Sequence, residues 1–114
     1  MPLLKIQTNV NVAEGKRDAL LKNASRAIAQ LLGKPEQYMM VSLEAERPMM
    51  FAGTSEPAAF MDLRAIGLPV GKTGQLSALL CDLAKAELGA AKERVYINFT
   101  DVPANLWGWN GETF

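Results

Sequence analysis

The 114 residues carry 12 Lys and Arg against 12 Asp and Glu, and this even balance excludes the basic footprint that nucleic acid or an anionic membrane surface requires. The chain is 49% hydrophobic, enough for the core of one domain spanning residues 1–114, but it has no apolar run of the roughly 18 residues needed to cross a membrane. With no histidine and one cysteine, His-based triads, ordinary His metal sites and an internal disulfide framework are excluded. Acid–base chemistry near neutral pH is left to a perturbed carboxylate, lysine, tyrosine, thiol or terminal amine.

The chain opens Met1-Pro2. Proline in second place permits removal of the initiator methionine, which would free a secondary amine at Pro2. An α-amino group titrates near about pH 8, so a modest downward shift makes it a base at neutral pH. While Met1 is retained, the Pro2 nitrogen is an amide and cannot act as a base, so the working form is expected to lack Met1. The opening Met1-Pro2-Leu3-Leu4-Lys5 has neither the basic nor the apolar region of a signal peptide. Together with the lone cysteine, this leads to an expected cytoplasmic location.

Leu4, Ile6, Thr8 and Val10 alternate with Lys5, Gln7 and Asn9, the period of a half-buried strand. From about Ala13 the period becomes helical, with Leu20, Ala24, Ala27, Ile28 and Leu31 on one face. Gly33-Lys34-Pro35 stops that helix, the glycine as a left-handed cap and the proline as a residue that cannot continue it. Lys34 is open to two roles: a cation on the helix C-terminal dipole, or a point charge for a substrate carboxylate that also depresses the Pro2 amine. Met39, Val41, Leu43 and Ala45 then alternate as a second strand.

Met49 to Pro57 is a turn-rich connection, followed by a strand over Ala58 to Ile66. Arg64, near the end of that strand, either holds a second anion or is simply solvated. Gly67 to Gly74 is expected to be a loop, and its glycines and Lys72 lack the spacing of a phosphate loop. A second helix carries Leu76, Leu79, Leu80 and Leu83 on one face and ends at Gly89. Cys81 inside it is expected to pack as a small hydrophobe. The last strand, Val95 to Phe99, points Tyr96 and Asn98 to one face, where Asn98 either bonds a substrate oxygen or satisfies nearby backbone.

The pattern is β-α-β twice, an α/β (α+β) chain. Right-handed crossovers put both helices on one face of a four-stranded mixed sheet. The other face, with Leu3, Lys5, Tyr96 and Asn98, is too mixed for a dry core and too apolar to stay exposed, so an oligomer enclosing it is expected. Trp107 and Trp109 sit in a Gly/Asn-rich tail closed by Phe114. They either cover a groove between subunits or wall a pocket for a flat ligand, and the two roles are compatible.

Several blocks, in this order from first residue to last, resemble the macrophage migration inhibitory factor and D-dopachrome tautomerase family of the tautomerase superfamily. They are Met1-Pro2, Thr8-Asn9-Val10, Gly33-Lys34-Pro35 with Gln37-Tyr38, Ser55-Glu56-Pro57, Ala65-Ile66-Gly67, Arg94 to Asn98, Gly108-Trp109-Asn110 and Thr113-Phe114. The resemblance implies a homotrimer of β-α-β-β-α-β subunits with three sites between subunits. It implies Pro2 as the catalytic base beside Leu3, with Lys34 and the Ile66 N–H gripping a substrate carboxylate or carbonyl oxygen. Tyr96 and Asn98 would enter from the neighbouring subunit, Trp109 and Phe114 would line an aromatic wall, and Tyr38 would sit at the rim. The implied reaction is a keto–enol proton shift on a phenylpyruvate-type α-keto acid or a dopachrome-like substrate, with no metal or organic cofactor.

Ala58 and Met61 stand where vertebrate members carry a Cys-x-x-Cys motif, so thiol–disulfide chemistry is not expected. Arg64 and Trp107 replace a histidine and a smaller aliphatic residue, which narrows or recharges the pocket mouth. Two other roles follow from the same resemblance. One is a cytokine-like signalling or binding protein with a vestigial pocket, for which leaderless export is known. The other is hydration or dehalogenation of an unsaturated acid, which needs a protonated proline.

Overall fold

In the computed structural model, which describes residues 1–114, the alternating N-terminal segment becomes β1 (Leu3–Thr8). Leu4, Ile6 and Thr8 are buried on one face, while Leu3, Lys5 and Gln7 are half-buried on the other. Val10 lies beyond the strand. Thr8 can be buried because its hydroxyl is fully used, donating to the Ala58 carbonyl (2.8 Å) and accepting from the Val10 N–H (3.2 Å).

Helix α1 (Glu14–Leu32) ends as its sequence dictates. Gly33 adopts φ 67°, the left-handed conformation that costs glycine little. The Gly33 N–H bonds the Gln30 carbonyl (3.2 Å) and the Lys34 N–H bonds the Ala29 carbonyl (3.0 Å), the paired pattern that closes a helix end. Strand β2 (Met40–Glu44) follows in parallel with β1. Its expected alternation holds in which side chains meet the core, since Met39, Val41, Leu43 and Ala45 pack against it, but Val41 to Glu44 are all only half-buried. The reason is position, since β2 is an edge strand and α1 covers it only in part.

Strand β3 (Ala59–Ile66) pairs antiparallel with β1 and parallel with β4 (Val95–Val102), giving the order β2-β1-β3-β4. The sheet is therefore mixed and four-stranded, with its two β-α-β halves joined antiparallel at the centre. β4 runs three residues past the expected Phe99, because pairing with β3 continues through Ile66↔Val102. The expected loop from Gly67 to Gly74 is shorter in fact. Val70–Lys72 form a 3₁₀ turn that feeds directly into α2 (Thr73–Leu88), so Gly74 lies in the first helical turn.

Leu20, Ala24, Ile28 and Leu32 of α1 and Leu76, Leu80, Ala84 and Leu88 of α2 are buried against Leu4, Ile6, Met61, Leu63 and Ala65. Leu79 and Leu83, expected with the buried face of α2, are only partly buried at its flank. Leu68 docks on the same core, and its N–H is taken by the Asp101 carboxylate (3.1 Å). The helix-free face carries Leu3, Lys5, Asp62, Arg64, Tyr96 and Asn98, with Tyr96 67% exposed.

The turn-rich connection before β3 is ordered by two side chains. Asn9 donates to the carbonyls of Ser55 (3.1 Å) and Glu56 (3.0 Å) and accepts the Ala58 N–H (2.9 Å). Arg94 donates to the carbonyls of Phe51, Thr54, Glu56 and Pro57 at 2.9–3.3 Å and lies over the Phe51 ring. A guanidinium that satisfies four loop carbonyls replaces the secondary structure the loop lacks. Arg94→Ala is expected to cost about 2 kcal/mol, the order of one lost charge-assisted bond after solvent compensation. Urea denaturation would measure it, together with faster amide exchange confined to residues 51–57.

Candidate active site

Pro2 is the only proline with less than 2% of its surface exposed among the large buried side chains. Its burial follows from its place one residue ahead of β1, where its carbonyl accepts the Met40 N–H (3.0 Å) and extends the β1–β2 pairing. It forms the floor of a cleft of about 520 Å³. Leu3, Tyr38, Arg64, Trp107, Trp109 and Phe114, all expected at the site, line this cleft.

The aromatic wall is built by a hairpin, β5 (Gly108–Trp109) and β6 (Glu112–Thr113), within the tail that the residue pattern leaves without an element. Asn110 and Gly111 at its tip take φ 55° and 79°, the paired positive values of a type I′ turn. The Asn-Gly dipeptide was the signal for it. The hairpin sets the Trp109 and Phe114 rings in a stack 5.5 Å apart, and Tyr38 meets both edge-on at 5.5 and 6.1 Å. The Phe114 N–H bonds the Trp107 carbonyl (3.1 Å), which extends the hairpin pairing by one residue.

Lys34 and Ile66 do not line the cleft itself. The Gly33 turn carries Lys34 to the end of β3, where a β-carbon added at Gly67 would stand 3.9 Å from its Nζ. From there its charge reaches the N-terminal amine. That amine, on Met1, donates to the Tyr38 carbonyl (3.1 Å) and titrates below the usual α-amino range, first because burial disfavours its charged form and second because Lys34 repels it.

Tyr96 and Asn98 lie away from the cleft, on the exposed face of edge strand β4, and Tyr96 packs edge-on against Phe51 at 4.8 Å. Gln37, Met39, Met40, Val102 and Leu106 complete the cleft and were not anticipated. Met40 and Val102 arrive through strand register, as partners of Leu3 and Ile66, which alternation alone does not reveal. No group of three or more His, Cys, Asp and Glu side chains is placed to hold a metal ion, and no helix is long and apolar enough to cross a membrane.

The arrangement is a largely apolar cleft lined by an amine and a half-exposed guanidinium, with the Lys34 ammonium close enough to act on that amine. Such a site can hold an anionic, flat molecule and move a proton on it.

Comparison with known proteins agrees with this geometry. The family model described as macrophage migration inhibitory factor matches residues 1–114. Rat macrophage migration inhibitory factor is 40% identical over 118 residues, covering 100% of this chain and 99% of the rat protein. The Trichinella spiralis homologue is 33% identical over 115 residues, with both chains covered fully. Among solved structures, the Prochlorococcus marinus homologue superposes with a TM-score of 0.93 at 43% identity, covering 98% of each chain. The chain thus belongs to the macrophage migration inhibitory factor family, within the tautomerase superfamily.

Proposed function

We propose that the protein is a cofactor-free keto–enol tautomerase of phenylpyruvate-type α-keto acids or dopachrome-like substrates, with the Pro2 nitrogen as general base once Met1 is removed. The observation that carries this reading is the geometry, with buried Pro2 in the lining of an aromatic cleft, and the Met1 amine beside it is lowered by burial and by Lys34. Removing Met1 moves the amine one residue inward, to Pro2, next to the start of β1.

In the enolisation, the Pro2 lone pair takes a proton from C3 of the keto acid. The C3–H electron pair becomes the C2–C3 double bond, and the carbonyl oxygen receives the proton back from Pro2. The Lys34 ammonium holds the carboxylate end, assisted by the Ile66 N–H, and Trp109 and Phe114 hold the ring. A homotrimer would bring Tyr96 and Asn98 of a neighbour to the cleft, with Asn98 meeting a ring hydroxyl. Two features support assembly: both sheet edges, β2 and β4, lack strand partners, and the helix-free face is uncovered. A neighbouring ammonium and an apolar lining, which lower the Met1 amine, would act the same way on a Pro2 amine and favour a base over the protonated proline that hydration or dehalogenation needs.

The test is steady-state enolisation of phenylpyruvate by protein with Met1 removed and with Met1 retained, each verified by intact mass. Activity confined to the processed form is expected; equal activity in both forms would exclude Pro2 as the base. A cytokine-like binding role is the second reading, favoured by the full-length match to the rat protein. It gains ground if the processed form shows no turnover.

A further inference from the structure

We propose that Arg64 is a second anion-binding group, aimed by Asp62, and that it selects α-keto acids bearing a second carboxylate away from the reacting carbon. The inference rests on the cleft around Pro2 being the substrate pocket.

Arg64 is the only charged side chain lining the cleft, and no acidic residue lines it. It faces Leu3 across the β1–β3 pairing, next to Pro2 in the chain. Direct cross-strand neighbours hold their β-carbons about 5 Å apart, so Arg64 starts beside the proton-transfer site.

The guanidinium is not free to wander. Its Nε and Nη2 donate to Asp62 Oδ2 at 3.2 and 3.0 Å. The Asp62 side chain is only 13% exposed, and its other oxygen, Oδ1, is buried with no hydrogen-bond partner. A half-satisfied buried carboxylate that lost Arg64 would be left with nothing, so the tether is costly to break. Nη1 makes no hydrogen bond within the chain, and Nη2 keeps a second N–H. That remaining edge is the fork that accepts a carboxylate in two parallel bonds. Because Asp62 already immobilises the side chain, little rotamer freedom remains to be lost on binding.

The substrate class follows from the separation of roles. Lys34 stands just past the C-terminal end of β3, beside Gly67 and outside the cleft lining, whereas Arg64, three residues before Gly67, lines the cleft itself and is half-exposed. A molecule with one carboxylate uses one of them; an arylpyruvate-like acid with a second carboxylate on its ring end uses both.

The test uses two unreactive probes, 3-phenylpropanoate and 3-(4-carboxyphenyl)propanoate. Their binding is read by fluorescence of Trp107 and Trp109, the only tryptophans and both at the cleft. In the wild type the dicarboxylate is expected to bind at least about tenfold tighter, equivalent to about 1.4 kcal/mol. The ratio of the two dissociation constants falls to about one in Arg64→Gln and is partly kept in Arg64→Lys. Should Arg64→Gln fail to fold around its orphaned carboxylate, the double variant Asp62→Asn with Arg64→Gln removes both charges together and gives the same expected ratio. Equal affinities in the wild type, or a preference that survives in the double variant, would overturn the proposal. Neither probe turns over, so this outcome is independent of the phenylpyruvate assay. A protein that binds the dicarboxylate preferentially yet enolises nothing refutes the tautomerase reading alone.

Discussion

Pro2→Gly, with Met1 removed, is expected to lower kcat/KM for phenylpyruvate by about 10² to 10⁴, the usual contribution of a positioned general base. The variant keeps an α-amine, but a primary one on a residue with no ring to pack. The ring is what is buried at the cleft floor, so the glycine amine loses both its fixed position and part of its desolvation. The fold is expected to survive, because the contact that starts the β1–β2 pairing is made by the residue-2 carbonyl, not by the ring. Circular dichroism and sedimentation on the same samples separate loss of chemistry from loss of structure. A variant that retains wild-type kcat/KM contradicts the assignment.

Lys34→Gln carries two linked expectations. The first is a fall in kcat/KM of about 10- to 100-fold, from losing a charged contact worth about 1.5–3 kcal/mol to the substrate carboxylate. The second concerns pH. Lys34 lowers the pKa of the Met1 amine by repelling its charged form, and the same repulsion is expected to act on the Pro2 amine once Met1 is removed. Removing the ammonium lets that pKa rise, so the neutral base becomes dominant only at higher pH. The acid limb of kcat/KM against pH therefore moves upward in the variant, while burial, the larger cause, keeps it below the ordinary α-amino value. A limb that stays put, or moves to lower pH, would show that Lys34 does not act on the base.

The chemistry of this site was legible where local rules decide it. Gly33 announces both the end of α1 and the placement of Lys34, because a left-handed glycine reverses the chain at that point. The alternation of β1 and β3 shows which side chains turn from the core, and so places Leu3 and Arg64 on the helix-free face. What the sequence hides is register. Met40 and Val102 enter the cleft only because Leu3 pairs with Met40 and Ile66 with Val102. The role of Asp62 was likewise hidden, since nothing in its spacing from Arg64 tells that one of its oxygens is buried without a partner. The start of α2 was misjudged because Gly71 and Gly74 read as loop residues, whereas the 3₁₀ turn after Pro69 leads straight into the helix.

Arg64 and Trp107 also bear on how far substrate preference carries across a family at 33–40% identity. Both line the cleft that also holds Pro2.

The most direct measurement is a ¹⁵N NMR titration of the Pro2 nitrogen in protein whose Met1 has been removed. A pKa clearly below 7 is the result expected of a base that is neutral in the cell, and a pKa above 7 would mean a proline that donates protons instead of accepting them.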